Sequence, residues 1–191
     1  MSGPTTLARS EADAFERGLF KQQTLTTVRY ADPVAWIVAT AAVRAFGAAH
    51  DAVVAAGDRV GVVVTSARGP VETMAWVATA ARDGFSSPLR YPATNPGSLA
   101  GVTCIALGLR GPTLVLTMPP EQGARLGLVL GERWIARGDV LLALVATCWE
   151  PSPGKQAARC MLVGAGAGGP PVDAATDGAW LAALDARSVR A

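Results

Sequence analysis

Two periodicities of apolar residues divide the chain into helices and strands. Apolar side chains recur every three or four positions in segments that end near a glycine, and short runs of Val and Leu separate these segments. The helical pattern covers residues 33–56, 71–82, 98–107 and 121–137, and it returns in Trp180–Ala186. The strand pattern covers Arg59–Thr65, Thr113–Thr117, Val140–Cys148 and Ala157–Val163. Helices and strands therefore alternate along most of the chain.

The first 32 residues have a weaker pattern. We predict a short helix over Leu7–Leu19 and, because Thr24–Tyr30 is rich in β-branched residues, a strand there. Asp32 followed by Pro33 indicates a helix start, with an N-cap side chain and a proline in the first turn. The long helix that follows is expected to end at Gly57.

The order of these elements predicts an α/β fold. Pro151, Pro153 and Gly154 separate the last two strands, which indicates a hairpin. We therefore expect a mainly parallel five-stranded sheet with helices on both faces and a C-terminal antiparallel hairpin strand. The expected parts are an N-terminal segment 1–32, a domain 33–165, and a Gly/Pro linker with a terminal helix, 166–191.

Composition excludes several classes of function. The 191 residues carry 17 Lys plus Arg against 15 Asp plus Glu, and a net charge of +2 is too balanced for a nucleic-acid-binding surface. His50 is the single histidine, so one chain cannot build a two-histidine zinc site or use two imidazoles in catalysis. We expect no metal and no cofactor. His50 lies on an alanine-rich helix, where a surface position is the simpler interpretation.

Cysteine spacing and segment lengths bear on the location of the protein. Cys104, Cys148 and Cys160 are an odd number without C-x-x-C spacing, which is typical of reduced core thiols. Acidic residues interrupt any apolar signal segment in the first twenty positions. The longest apolar run, Val140–Trp149, is about half of the roughly 20 residues that span a membrane. The sequence therefore predicts a cytoplasmic protein without a membrane segment.

Other features of the sequence have less specific interpretations. The stretch GAGAGG at 164–169 matches the spacing of a dinucleotide-binding loop, but Pro170 and Pro171 follow where that loop opens a helix, so we interpret it as a linker. GSLAG at 97–101 does not match the G-x-S-x-G nucleophile motif, which argues against a hydrolase.

Only 17% of residues are charged, so we expect another chain to cover apolar surface. Six arginines either flank a site for an acidic partner or lie on solvated helix faces: Arg82, Arg90, Arg110, Arg125, Arg133 and Arg137.

The most specific part of the sequence is residues 91–138. It contains the loop YPATNP, the helix start GSLAG and the string LGLRGP, followed by a strand, a long helix that ends at Gly138 and a strand that begins with DV. This order and spacing resembles the N-terminal half of the β-ketoacyl synthases, the condensing enzymes of fatty-acid and polyketide synthesis, which have the thiolase fold. The segments RVGVVVTS and ARCMLVGAG resemble further strands of the same half. The resemblance covers about residues 33–165 and implies a thiolase-like half-fold there.

The resemblance also implies a nucleophile that this chain lacks. In the family, a cysteine at the start of the long helix forms the acyl thioester, and two histidines of the C-terminal half assist decarboxylation. Counting forward from LGLRGP places that position on Pro120, and counting back from Gly138 places it on Glu121. Neither residue forms a thioester, so the resemblance implies a non-catalytic protein. Another thiol at the mouth of this helix would contradict that interpretation.

Relatives without the nucleophile indicate a role for such a chain. The chain-length factors pair with an active synthase and shape the tunnel for the growing chain, and many carry glutamine at the cysteine position, to which EQG at 121–123 is similar. We therefore expect a structural partner or acyl-chain binder in polyketide or fatty-acid biosynthesis. The candidate lining of an acyl pocket is Met118, Glu121, Gln122 and Leu126. The expected partners are a second copy or a full-length ketosynthase, paired through the strand before the nucleophile position, and an acyl carrier protein.

Two alternatives remain open at this stage. In the first, the chain is a small enzyme of altered chemistry, in which Glu121 acts as a base on an acyl thioester, since a helix N-terminus favours the ionised carboxylate. In the second, the chain is a relative without a ligand, which predicts no apolar pocket beside Met118 and Leu126.

Overall fold

A five-stranded sheet forms the centre of the fold. The computed structural model describes residues 4–165, 171–173 and 175–182. The strands are β1 Pro4–Ala12, β2 Val60–Ser66, β3 Thr113–Leu116, β4 Leu142–Ser152 and β5 Lys155–Ala165. Their order across the sheet is β1-β5-β4-β2-β3.

The sheet is mixed. β2 pairs in parallel with β3 and with β4, whereas β5 pairs antiparallel with β4 and with β1. The expectation of a mainly parallel sheet is therefore wrong, because half of the pairings are antiparallel. The predicted hairpin is confirmed: β4 and β5 are joined through Pro153 and Gly154, and Gly154 has a φ of 76° that favours glycine.

Helices flank this sheet. In the described residues they are α1 Gln22–Thr27, α2 Pro33–Phe46, α3 His50–Ala55, α4 Val71–Arg82, α5 Ser98–Leu107, α6 Pro120–Ala136 and α7 Thr176–Ala182. The predictions for α4, α5 and α6 and for β2 to β5 are confirmed within a few residues. The long helix expected up to Gly57 is instead divided, because Gly47 takes a φ of 47° and ends α2. The terminal helix begins earlier than expected, and residues 183–186 of that prediction lie outside the described part of the chain.

The two predictions for the N-terminal segment are wrong. The segment expected to be a helix, Leu7–Leu19, contains the second half of β1, in which exposed side chains alternate with half-buried ones from Leu7 to Glu11 and Ala12 is buried. Its backbone is hydrogen-bonded along β5, a partner more than 140 residues away in the sequence. This pairing also makes β1 part of the same sheet as the strands of the predicted domain 33–165. The boundaries of that domain stay a prediction.

The segment expected to be a strand, Thr24–Tyr30, contains most of helix α1. The hydroxyl groups of Thr26 and Thr27 donate to the carbonyls four residues earlier, which accommodates these β-branched residues in a helix. β-branched composition alone therefore did not decide the structure here.

The two faces of the sheet carry separate apolar clusters. α2 and α5 pack on one face, where Val38 and Leu99 lie against Leu144. α6 and α7 pack on the other face, where Leu128 and Leu181 belong to one cluster with Val145 and Met161. Side chains of β2 and β4 alternate between these two clusters, so consecutive residues face different helices.

α2 forms the centre of the first face. Residues 33–55, which include α2 and α3, are long and apolar enough to cross a membrane by length and composition, and half of that stretch is buried in the fold. The Asp32 carboxylate accepts hydrogen bonds from the N–H groups of Val34, at 3.0 Å, and of Thr73, at 2.8 Å. The first contact is the predicted N-cap, and the second joins the start of α2 to the start of α4. The stretch thus has the packing of a core helix.

α6 contacts the other face of the sheet through three glycines one turn apart, Gly123, Gly127 and Gly131, all of them buried. A Cβ atom at Gly123 would lie 2.1 Å from the Thr65 Cγ2 atom, and one at Gly131 would lie 2.9 Å from the Ala143 Cβ atom. The absence of side chains therefore allows the helix backbone to approach β2 and β4 closely. This contact places the first turn of α6 at the ends of both strands.

Gly123→Ala is expected to lower the free energy of unfolding by about 1–3 kcal/mol, because overpacking against Thr65 exceeds the gain in helix propensity. The matched control is Gly101→Ala in α5, where a Cβ atom meets no atom within 4 Å. The control should keep its stability or gain up to about 1 kcal/mol. Equilibrium urea unfolding measures both, and equal stabilities would contradict the close approach of α6.

Candidate functional site

The candidate site lies where the carboxyl ends of β2 and β4 meet the first turn of α6. Because β2, β3 and β4 run in parallel, their carboxyl ends share one edge of the sheet, which is where ligand sites of α/β folds form. A cavity of about 180 Å³ opens at this edge. Its lining is Ser66, Ala67, Arg68, Pro120, Cys148, Trp149, Glu150 and Gln156.

Two prolines form the start of α6. Pro119 is the N-cap residue, with a ψ of 140° and no side-chain cap, and Pro120 is the first helical residue. The N–H groups of Gln122 and Gly123 donate to the Pro119 carbonyl, at 3.2 and 3.0 Å. Since Pro120 has neither an N–H group nor a nucleophilic atom, the residue that lines the cavity at this helix start provides no covalent chemistry.

Cys148 is the thiol that lines the same cavity. It is 2% exposed and belongs to the cluster on the α2 face of the sheet, whereas α6 packs on the opposite face. Burial raises the pKa of this thiol to about 12, with a smaller contribution from the Asp32 carboxylate. The thiolate is the nucleophilic form of cysteine, so at neutral pH Cys148 is an unreactive thiol.

An ion pair lies at the rim of the cavity. The Arg68 guanidinium contacts the Glu150 carboxylate, which also accepts a hydrogen bond of 2.6 Å from the Gly154 N–H group in the β4–β5 turn. Arg68 is about half exposed, so the pair contributes about 0–1 kcal/mol to stability. The Glu150 carboxylate therefore links Arg68 to the β4–β5 turn.

The floor beneath the first turn of α6 is polar. The register pairs Thr65 of β2 with Thr147 of β4, and both are completely buried. Neither hydroxyl oxygen has a hydrogen-bond partner among the described residues. A Cβ atom at Gly123 would lie 2.8 Å from the Thr65 Oγ1 atom, which places that hydroxyl directly under α6. Neither threonine has a base beside it that would make it a nucleophile.

The residues predicted from the sequence are only partly brought together. Pro120 lines the cavity. Met118 is half-buried, while Glu121, Gln122 and Leu126 are exposed, and none of these four lines the cavity beside Pro120. Their assignment to an acyl pocket stays a prediction.

Sequence reasoning missed the residues at the carboxyl ends of β2 and β4. The signal was available: Ser66 to Arg68 come directly after one predicted parallel strand, Cys148 to Glu150 span the end of another, and such ends meet at one edge of the sheet. Gln156 reaches the same edge only through the hairpin. His50 lies far from this cavity. The start of α2 is held beside the start of α4, which follows β2, and His50 comes after the other end of α2. No group of three His, Cys, Asp or Glu side chains in the described ranges is arranged to hold a metal ion.

Solved structures with a similar fold are ketosynthases. The ishigamide ketosynthase/chain length factor matches with a TM-score of 0.67 and 18% sequence identity, over 89% of this chain and 64% of that one. A β-ketoacyl synthase from Burkholderia phymatum matches with a TM-score of 0.68 and 15% identity, over 86% of this chain and 59% of that one. This chain has a ketosynthase-like thiolase fold. No protein-family model matches it, and no curated protein is significantly similar in sequence.

The ketosynthase-like chain spans less than two thirds of each of those two structures. In a third match, the aligned part covers nearly the whole length of both chains. One chain in the complex of a ketosynthase with its chain length factor from Xenorhabdus doucetiae matches with a TM-score of 0.61 and 12% identity, over 95% of this chain and 92% of that one. A chain of similar length with this fold therefore occurs in a ketosynthase complex.

Native protein treated with iodoacetamide at pH 8 should be modified at Cys104 and not at Cys148 or Cys160. Cys104 is half-buried and burial raises its pKa, so it should react slowly, whereas burial shields the other two thiols completely and raises the pKa of both strongly. In urea all three should react, because an exposed cysteine has a pKa of about 8.5. Peptide mass spectrometry locates the adducts. Rapid modification of Cys148 in the native protein would contradict an inert thiol at the α6 start.

Proposed function

We propose that this chain is a non-catalytic, ketosynthase-like subunit that pairs with a full-length ketosynthase in polyketide biosynthesis. One observation carries the proposal: the cavity at the α6 start is lined by a proline and by a buried, protonated thiol, on a fold shared with condensing enzymes. Neither of these two residues is expected to form an acyl thioester at this helix start. The proposal also includes a role of this subunit in a fatty-acid pathway. It further includes an acyl carrier protein as an additional partner.

The edge of the sheet supports pairing with another chain. β3 is the last strand on its side, and Val62 donates its N–H group to the Pro112 carbonyl at 2.9 Å. With Val62 in register with Thr113, the backbone N–H and C=O groups of Thr113 and Val115 point to the open side. Such an open row is a template for a strand of another molecule. It is also the strand through which the family resemblance implies pairing.

Apolar surface on α4 and the segment after it also supports a partner. Thr73 is the single buried residue of α4, although the helix contains Met74, Trp76 and several alanines. Met74, Phe85 and Tyr91 are 47%, 56% and 66% exposed. A chain in solution rarely leaves so many large apolar groups uncovered in one region, so a partner is expected to cover them.

The alternative with Glu121 as a base has less support. Its carboxylate is exposed in the first turn of α6 and does not line the cavity. Acid–base catalysis requires a carboxylate within reach of a bound substrate, which is best achieved inside a pocket.

Incubation with malonyl-loaded and acyl-loaded acyl carrier proteins should leave the mass of the isolated chain unchanged, because the cavity at the α6 start offers a proline and a buried thiol of raised pKa, neither of which is expected to take up an acyl group. Intact-mass spectrometry and product analysis measure acylation and condensation. A covalent acyl adduct or a condensation product would overturn the non-catalytic role. If product forms without an adduct, Glu121→Gln decides the alternative: a lost rate assigns the base to Glu121, and an unchanged rate excludes it.

Val115→Pro should weaken pairing with a full-length ketosynthase from the same genome at least about tenfold, a loss of about 1.4 kcal/mol. The Val115 N–H group points away from β2, so proline removes no hydrogen bond inside this sheet, as at natural edge prolines. Size-exclusion chromatography with light scattering measures the complex.

Val115→Thr is the matched control for the proline variant, since it keeps a β-branched side chain and the N–H group, and it should pair normally. Undiminished pairing of a folded proline variant would contradict an interface at β3. A dimer of the chain alone that the proline variant dissociates would identify a second copy as the partner.

A further inference from the structure

A second concave site lies away from the α6 cavity, between α1, α5 and the segment that precedes α5. It is a groove of about 230 Å³ that shares no lining residue with the cavity beside Pro120. Most of its lining is apolar and includes Val28, Tyr30, Leu89, Pro92, Val102 and Ile105. Leu89 and Ile105 are more than half exposed, so apolar side chains form both the walls and the mouth of this groove.

Two arginines meet at one aromatic ring of the groove. The guanidinium carbon of Arg29 lies 4.7 Å from the centre of the Tyr30 ring, and that of Arg90 lies 5.4 Å from the same centre. Arg90 also lies 4.2 Å from the centre of the Trp76 ring. Both cations therefore lie against an aromatic ring that lines the groove, although neither arginine is itself a lining residue and Arg29 also lines a separate, more polar cavity beside α1.

Neither arginine has an anionic partner. Among the described residues, no carboxylate lies within the 4.0 Å of an ion pair from Arg29 or Arg90, although six other arginines form such pairs. Because both distances are measured to one ring centre, the two guanidinium groups lie no more than about 10 Å apart, which is about one Debye length at 0.1 M ionic strength, so they repel one another weakly. An anion at this rim would relieve that repulsion and gain charge-assisted hydrogen bonds.

We propose that this groove binds an amphiphilic anion, an aliphatic chain that ends in a carboxylate, with its head at Arg29 and Arg90 and its tail against Leu89, Val102 and Ile105. The unpaired positive rim fits the head, and the apolar lining fits the tail. The site extends the proposed function, since such an anion belongs to the chemistry of acyl chains. Its recognition requires no ketosynthase, so it is tested separately from the pairing at β3.

The groove offers a substitution that fills it without disturbing the fold. Gly101 lines the groove on α5, and a Cβ atom there meets no atom within 4 Å. Leucine is a better helix former than glycine, so Gly101→Leu should keep or improve stability while occupying the space of the tail.

Isothermal titration of the isolated protein with decanoate, below its micelle concentration, tests the proposal. Decanoate is expected to bind one site, while decanol and acetate, each lacking one half of the amphiphile, bind at least about tenfold more weakly. The double variant R29Q/R90Q should weaken decanoate binding about tenfold and leave decanol unchanged, and Gly101→Leu should abolish binding of both.

The matched control is R125Q/R133Q, which removes the same charge from exposed arginines of α6 that form no ion pair in the described residues. It should bind decanoate like the natural chain. Equal binding of decanol and decanoate, binding that survives Gly101→Leu, or equal losses in both double variants would overturn the assignment. If decanoate binds as expected and no ketosynthase pairs with the chain, the groove stands and the proposed partnership fails.

Discussion

The contact between the glycine face of α6 and the sheet determines the geometry of the whole site. Gly123, Gly127 and Gly131 bring the helix backbone against β2 and β4, so its first turn lies at the carboxyl ends of those strands. Parallel strands already converge at that edge, and the helix start completes a cavity there. A larger residue at any of the three positions would separate the helix from the strands and move its first turn away from the edge.

Two residues of the lining, Pro120 and Cys148, determine the chemistry available at this cavity. A proline occupies the helix start, where a cysteine would gain reactivity from the positive end of the helix. The thiol that is present faces the opposite side of the sheet, and its burial raises the pKa so far that the reactive thiolate is absent at neutral pH. Burial thus suppresses the reactive thiolate at Cys148, whereas the N-terminus of a helix would favour it.

The surfaces of the chain indicate association more clearly than the cavity indicates catalysis. The backbone of β3 is open on one side, and α4 exposes apolar side chains that its sequence would normally place in a core. A chain of similar length with this fold occurs in the complex of a ketosynthase with its chain length factor. The groove at α5 adds a positive rim to an apolar lining, a combination that neither stability nor subunit pairing requires.

Local sequence patterns were enough to predict the helices and strands in which apolar residues recur regularly over the whole element. α4, α5 and α6 and strands β2 to β5 follow from local patterns, because the spacing of apolar residues directly reflects which face is buried. The strings around LGLRGP also predicted the ketosynthase-like fold. The strand at residues 4–12 depends on long-range pairing, since its hydrogen bonds come from β5 at the other end of the chain. Likewise, the reactivity of Cys148 and the meeting of Arg29 with Arg90 depend on burial and on contacts between distant segments, which no local pattern encodes.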